Sequence, residues 1–289
     1  MSSAKVAARA ESGALYLVST PIGNLGDMSH RAVEVLSSAA LVIAEDTRHS
    51  RRLLDHYSIV TPLNSYHEHN EAKETPRLIA RLLAGDSIAL ISDAGTPLIS
   101  DPGSRLVAAA VEAAIPVVPI PGASSVMAAL VASGLPLERF TFLGFLPRKG
   151  RERTEAIAEI VDSRGTVVVF EAPNRVGGTL EALIEAGAGE RRAVVARELT
   201  KRFEEFKRGS VAELAGFYSK ADPKGEVVLV IGGAEARVVS ESDLTDAAGK
   251  LRAAGKTPRD IMDYLVSALG ASRNAAYRIA HESEAGPPD

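Results

Sequence analysis

Ser87-Ile-Ala-Leu-Ile91-Ser-Asp-Ala-Gly95-Thr-Pro-Leu-Ile-Ser100-Asp-Pro-Gly103 is an apolar strand-like run, Ser87 to Ile91, that passes directly into a segment dense in Gly and Pro. Such a density cannot continue a strand or a helix, so the backbone must turn sharply with its peptide groups exposed. Small-molecule pockets form in this way, at the carboxyl end of a sheet strand. A second junction of the same kind is Pro116-Val-Val-Pro-Ile-Pro-Gly-Ala-Ser-Ser125. There a short apolar run meets Pro121-Gly122, and Ser124-Ser125 opens a helix-like stretch from Val126 to Ala132. Two such loops suggest one shared ligand.

Working outward, runs rich in Val, Ile and Leu recur at Leu15–Val18, Leu41–Ala44, Ile88–Ile91 and Pro116–Ile120. Between them lie segments of helical spacing, Arg31–Ser38, Thr75–Ala84 and Ser104–Ala114. Apolar strands alternating with amphipathic helices indicate an α/β fold with a parallel sheet covered on both faces. Breakers and charge at Leu135-Pro136 and Pro147-Arg-Lys-Gly150 place a domain boundary between Phe140 and Gly150. A second α/β unit follows, with a helix at Glu152–Val161, strands at Thr166–Phe170, Ala193–Glu198 and Glu226–Ile231, and a charged hairpin-like segment from Lys201 to Val211. After Gly232-Gly233, three short helices are expected at Asp243–Ala253, Thr257–Leu269 and Ser272–His281, with Pro258 at a helix start. The expected organisation is a disordered lead at 1–12, α/β domains at 13–140 and 141–235, and a helical region at 236–289 ending in a frayed Gly286-Pro-Pro-Asp.

With 289 residues and 46% hydrophobic content the chain can bury a proper core. A net charge of −4 argues against a protein that simply coats nucleic acid, though a local basic surface fits that total. Cysteine is absent, which removes disulfides, thiolate metal sites and thiol nucleophiles, and fits a cytoplasmic location. The polar, Ala-rich Met1 to Ser12 is no secretory signal, and Glu112, Pro116 and Gly134 interrupt apolar stretches well short of the roughly 20 residues that a membrane span needs.

Several familiar site patterns fail on inspection. Gly255-Lys256-Thr257 imitates a phosphate-binding loop, but Lys250 stands where its first glycine belongs, and no Gly-x-Gly-x-x-Gly follows a strand. Gly122-Ala-Ser-Ser-Val126 lacks the second glycine of a nucleophile elbow. His67 and His69 would share one face of an extended strand and could then ligate a metal, but they read better as polar loop residues at the mouth of a site. Glu45-Asp-Thr-Arg-His49 emerges at a strand end, where ligand contacts gather, and Asp46 or Thr47 could equally cap a helix. Basic residues cluster at Arg48, Arg51 and Arg52, at Arg148, Lys149, Arg151 and Arg153, and at Lys201, Arg202, Lys207 and Arg208. Each cluster alone suits a solvated face, but together they suggest a patch for phosphates, with RNA as a candidate substrate. Arg259, Arg273 and Arg278 in the terminal helices admit a helix-turn-helix-like role or simple packing.

Taken in order, Ser19-Thr-Pro-Ile-Gly-Asn-Leu-Gly26, Ala44-Glu-Asp-Thr-Arg48, Ser92 to Gly103, Pro121-Gly-Ala-Ser-Ser125, Gly144-Phe-Leu-Pro147, Phe170-Glu-Ala-Pro-Asn-Arg175 and Gly225-Glu-Val-Val-Leu-Val-Ile231 resemble the ribosomal RNA small subunit methyltransferase I family of the tetrapyrrole methylase-like superfamily. The resemblance runs from about Ala14 to Gly233. It implies two α/β domains with S-adenosyl-L-methionine in the cleft between them, and a homodimer. The implied reaction is 2′-O-methylation of a cytidine ribose in 16S rRNA of the small subunit, with neither DNA nor membrane involved.

Carried over by position, Pro21 resembles the family's cleft proline, and Ala94, Gly95, Thr96, Pro97, Leu98 and Ile99 resemble the loop holding the methionine part of the cofactor. Ser124 and Ser125 resemble the pair near the cofactor, while Glu171, Ala172, Gly225, Glu226 and Val227 resemble the second domain's contribution around the adenosine. Thr96 departs from the aspartate of the tetrapyrrole-modifying relatives, which favours the RNA branch. Candidates to accept the hydroxyl proton are Asp46, His67 and Glu68. Arg48, Arg148, Lys149, Arg175 and Lys201 are candidates for RNA phosphates, and the chemistry requires no metal. Competing readings are a tetrapyrrole carbon methyltransferase and a non-catalytic cofactor-binding module.

Overall fold

The computed structural model describes residues 10–234 and 240–281. The lead up to residue 9, the connection 235–239 and the tail from 282, including the expected fraying at 286–289, lie outside the described residues. The last part of the expected lead is tied down. Ala10 N–H donates to Ser38 Oγ at 2.9 Å, and Ser12 Oγ donates to the Gly85 carbonyl at 2.7 Å.

Short β-branched and leucine-rich runs form β1 (Leu15–Val18), β2 (Leu41–Ala44), β3 (Leu63–Ser65), β4 (Ile88–Ile91) and β5 (Val117–Ile120). They pair in the order β3-β2-β4-β1-β5, and every pairing is parallel. The connecting helices are α1 (His30–Ser38), α2 (Thr47–His56), α3 (Glu71–Leu83) and α4 (Ser104–Glu112), followed by α5 (Ser125–Ser133) after the last strand. Strand side chains alternate between faces. Tyr16, Val18, Val42, Ala44 and Ala89 pack against Ala32, Val35 and Leu36 of α1 and Leu54 of α2. On the other face Leu15, Ile43, Ile88 and Leu90 meet Leu78 and Leu82 of α3 and Leu106 and Ala110 of α4. Burial on both sides explains why β2 and β4 read as unbroken apolar runs.

The second sheet contains β6 (Phe140–Phe145), β7 (Thr166–Glu171), β8 (Arg192–Arg197), β9 (Glu205–Ser210) and β10 (Val227–Ile231), in the order β6-β7-β10-β8-β9. Only β6 and β7 run parallel; β10 is antiparallel to both neighbours, and the segment Lys201 to Val211, expected to be hairpin-like in itself, holds the single strand β9 paired antiparallel to β8. One face packs on α6 (Arg151–Asp162), α7 (Val176–Glu185) and α8 (Val211–Tyr218) through Val167, Val169, Val195 and Leu229. The other face, with Val168, Val194, Val228 and Val230, rests on Val126, Ala129 and Leu130 of α5 and on Ile22. Helix α5 therefore ties the second sheet to the first. Strand β6 lies where a domain boundary is expected, between Phe140 and Gly150; it is an edge strand of partly exposed aromatics without an apolar run of the usual kind.

Residues up to Gly233 form one compact unit, and the remainder forms another. The second unit consists of α9 (Glu241–Ala253), α10 (Pro258–Ser267) and α11 (Arg273–His281), close to the three helices expected, around Leu244, Ile261, Leu265 and Ile279. Ser240 and Thr257 each form a capping box, and Pro258 begins α10. No helix among the described residues is long and apolar enough to cross a membrane.

The chain leaves β5 through Gly122, where an added Cβ would lie 2.9 Å from the Cβ of Ser19 at the end of β1. Gly122→Ala should therefore cost about 1–3 kcal/mol by overpacking, read from the midpoint of urea unfolding.

Candidate functional site

The carboxyl ends of β1, β4 and β5 open onto one cavity of about 320 Å³. Its first wall is built from turns. After β1, Thr20 and Gly95 exchange backbone hydrogen bonds of 2.9 and 3.0 Å, fastening the first loop to the loop after β4. The Gly95 carbonyl also accepts from Ser92 Oγ at 2.9 Å. Gly95 has φ +85°, and Leu98 and Ser100 adopt the same left-handed region at +73° and +67°. Two side-chain-bearing residues in that region within one loop represent stored strain of the kind found at ligand sites. The turn presents Ala94, Gly95, Thr96, Ile99, Ser100 and Asp101 to the cavity, while Ser124, Ser125 and Val126 from the start of α5 close the same side.

The opposite wall is mostly apolar. Phe145 from β6, Phe170 from β7, Leu199 beyond β8 and Val227 and Val228 of β10 face the cavity, with Ala172, Pro173 and Gly225 at its rim. Because β10 is antiparallel to β7 and β8, its first residues reach the same edge as their last ones. Gly225 has φ +87°, and a Cβ there would fall 2.1 Å from Glu198 Oε1.

A family model described as Tetrapyrrole (Corrin/Porphyrin) Methylases matches residues 14–215. A protein of Synechocystis sp. named Ribosomal RNA small subunit methyltransferase I is 47% identical over 276 residues, 94% of this chain and 99% of that protein. One of the same name from Mesorhizobium japonicum is 51% identical over 241 residues, 83% of this chain and 82% of that protein. This chain belongs to the ribosomal RNA small subunit methyltransferase I family. The fold is also that of the uroporphyrin-III C-methyltransferase of Thermus thermophilus solved with S-adenosylhomocysteine, at a TM-score of 0.53 and 18% identity over 76% of this chain and 97% of that one. As a member of this family, the chain is an S-adenosylmethionine-dependent methyltransferase.

In this methyltransferase the cavity wall includes Ala94, Gly95, Thr96, Ile99, Ser124, Ser125, Glu171, Ala172, Gly225, Glu226 and Val227. Pro21, Pro97 and Leu98 are not part of the wall; both prolines are buried, and Leu98 packs toward the helices of the first sheet. Motif reading did not single out Ile22, Phe145 and Val228, which lie inside the quoted motifs as ordinary apolar residues, nor Leu199, which lies outside them; their role follows from the packing of the two sheets. Ser100 and Asp101 also lie inside a quoted motif, and their polar side chains were the more legible signal.

The three residues expected to accept a proton lie off the cavity wall. Asp46 is the N-cap of α2, accepting from the backbone N–H groups of Arg48 and His49. It also pairs with the Arg48 guanidinium at 3.1 Å, and these bonds, the Arg48 side chain's foremost, hold its carboxyl down at about 2. Its affinity for a further proton is therefore small. His67 and Glu68 follow Tyr66 in the turn before α3, not on an extended strand. The His67 ring stands edge-on to His69 at 5.9 Å, with a buried Nδ1 that has no hydrogen-bond partner. Among the described residues no group of three or more His, Cys, Asp or Glu is placed to hold a metal ion.

The basic residues divide into two sets. Arg148 and Lys149 are exposed, and Arg48 is exposed but paired with Asp46. Arg175 instead donates to the carbonyls of Leu146 and Pro147 at 2.9 and 2.8 Å and pairs with Glu171 at 3.2 Å. Lys201 is held between Glu198 and Glu226, at 2.9 Å from each, with its stem laid over Gly23. Neither is a free cation. Glu171 lines the cavity, but its carboxylate turns into the protein, where it also accepts from Thr179 Oγ1 at 2.6 Å.

Proposed function

We propose that this chain transfers a methyl group from S-adenosyl-L-methionine to the 2′-oxygen of a cytidine ribose in 16S rRNA, acting on the small ribosomal subunit in the cytoplasm as a homodimer. The observation carrying this reading is a cavity with one polar, backbone-rich wall and one apolar wall, in a chain whose relatives bear the names given above. The fit to the cofactor is chemical. An amino-acid end suits the turn Ala94 to Ile99 and the α5 start at Ser124 and Ser125, where backbone N–H groups favour a carboxylate. A flat nucleoside would suit the apolar side, where Glu171, Ala172, Gly225, Glu226 and Val227 would hold it. Pro21, Pro97 and Leu98 fix the shape of the turns from behind.

When bound, S-adenosylmethionine supplies an electrophilic methyl group on sulfur. The chain's own contribution is alignment and exclusion of water, because an in-line displacement draws most of its rate from positioning. Exposed Arg48, Arg148 and Lys149 are suited to RNA phosphates, and Arg175 and Lys201 act by holding loops beside the cavity. The test is transfer of labelled methyl groups to purified small subunits lacking native methylation, with nuclease mapping of the product. Label on a cytidine 2′-oxygen is the expected result. Absence of label on subunits and naked RNA, with cofactor binding intact, would sink the RNA reading and favour a tetrapyrrole acceptor or a binding module. Sedimentation at micromolar concentration checks the dimer.

A further inference from the structure

Resting on the methyl-transfer reading above, we propose that Asp101, on the cavity wall beside the Ala94–Ile99 turn, is the group that accepts the proton of the ribose hydroxyl. A hydroxyl oxygen attacks a methyl group poorly while it keeps its proton, so a positioned base contributes. Of the carboxylates at this edge of the first sheet, Asp101 belongs to the cavity wall, whereas Asp46 and Glu68 do not. Its position is fixed by the strained turn that carries it. Ser100 before it has φ +67°, and Gly103 after it has φ +129°, with no room for a Cβ, which would sit 2.7 Å from Leu90 Cδ2.

The surroundings of Asp101 suit a base. The charged groups acting on it are the carboxylates of Glu45, beyond β2, and Asp93, beyond β4, while the Ser92 hydroxyl is spent on the Gly95 carbonyl at 2.9 Å. Asp93 is itself anchored, accepting from the Asp46 backbone N–H at 3.3 Å. Burial first, then repulsion by Glu45 and Asp93, raises the Asp101 carboxyl to about 6. It is therefore ionised at neutral pH yet binds a proton far better than Asp46 does.

The proposed step balances. The carbon–oxygen bond forms as the carbon–sulfur bond breaks, with its electron pair remaining on sulfur. The hydroxyl proton moves to the Asp101 carboxylate and leaves to solvent after product release, so the cationic donor becomes a neutral thioether and one proton is set free.

In Asp101→Asn, kcat should fall by about 10²–10⁴-fold while S-adenosylhomocysteine affinity, read by calorimetry, stays unchanged. In the wild-type chain, kcat should drop on the acid side near pH 6, and Glu45→Gln should move that drop to lower pH by removing one repelling charge. In the ligand-free protein, a carboxyl carbon signal titrating near pH 6 should be present and should vanish in Asp101→Asn. The folded chain holds this proton more tightly than the unfolded chain, so the ionised carboxylate lowers stability as pH rises from about 4 through about 6. Asp101→Asn should therefore melt no lower than wild type at pH 7. Wild-type turnover in Asp101→Asn, or an acid limb unmoved by Glu45→Gln, overturns the assignment. A wild-type chain that labels no RNA overturns the methyl-transfer reading itself and this assignment with it.

Discussion

Ala172→Trp should weaken S-adenosylhomocysteine binding by at least about 100-fold, or ~2.7 kcal/mol, with little change in unfolding temperature. Ala172 sits on the cavity rim just beyond β7 with φ −67° and ψ 138°, a backbone conformation open to any residue. An indole there adds bulk to a cavity of about 320 Å³ that has apolar surfaces to receive it. Entry of the indole into the cavity is favourable in the free protein and incompatible with a bound nucleoside. Calorimetry on the variant measures the loss, and a thermal melt of the same sample separates it from misfolding. Binding at wild-type affinity would show that the ligand does not use this wall.

Glu171→Ala should lower the unfolding free energy by about 3–5 kcal/mol, the cost of breaking a buried ion pair from one side. The Glu171 side chain is fully buried, and it faces Arg175 at 3.2 Å and Arg153 at 3.8 Å, whose side chains are 22% and 19% exposed. Removing the carboxylate leaves two largely buried guanidinium groups without a counter-charge and takes away the acceptor of the Thr179 hydroxyl proton, although Arg153 still donates to that oxygen at 2.9 Å. The damage extends further. Arg153 and Arg175 both donate to the Pro147 carbonyl, at 3.2 and 2.8 Å, so they hold the loop after β6 that follows Phe145 of the cavity wall. Urea unfolding gives the free energy, and Glu171→Gln, which keeps the shape and most hydrogen bonds, should lose less.

Most strands were legible because burial on both faces forces unbroken apolar runs, as at Leu41–Ala44 and Val227–Ile231. The turn from Ala94 to Ile99 was legible for a different reason, since Gly95 and Pro97 end the strand and cannot continue it as a helix, although the left-handed Leu98 gave no such signal. Strands β3 and β6 were hidden because edge strands bury little; Asn64 and Ser65 are exposed, and so are Phe140 and Thr141. Charge was the least legible property. Arg175 and Lys201 look like cations offered to RNA, yet the carboxylates that engage them belong to the same folded unit, and Glu226, just before β10, is distant in sequence from Lys201. Asp101 shows the converse. It stands in the most informative motif of the chain, but its affinity for a proton depends first on burial and then on Glu45, which the sheet brings near from the end of another strand.

The position of β10 governs when the protein can acquire its site during synthesis. This strand is last in sequence among the ten, yet it lies between β7 and β8, and without it those two have no partner in common. A nascent chain emerging from the ribosome can complete the first sheet early, since all of its strands precede α5. The second sheet must wait, with the edges of β7 and β8 unpaired, until Ile231 has cleared the exit tunnel. Premature termination between Ser210 and Gly225 would therefore yield a chain with a sound first half, two exposed strand edges and no β10 wall to its cavity, a natural substrate for chaperones and proteases.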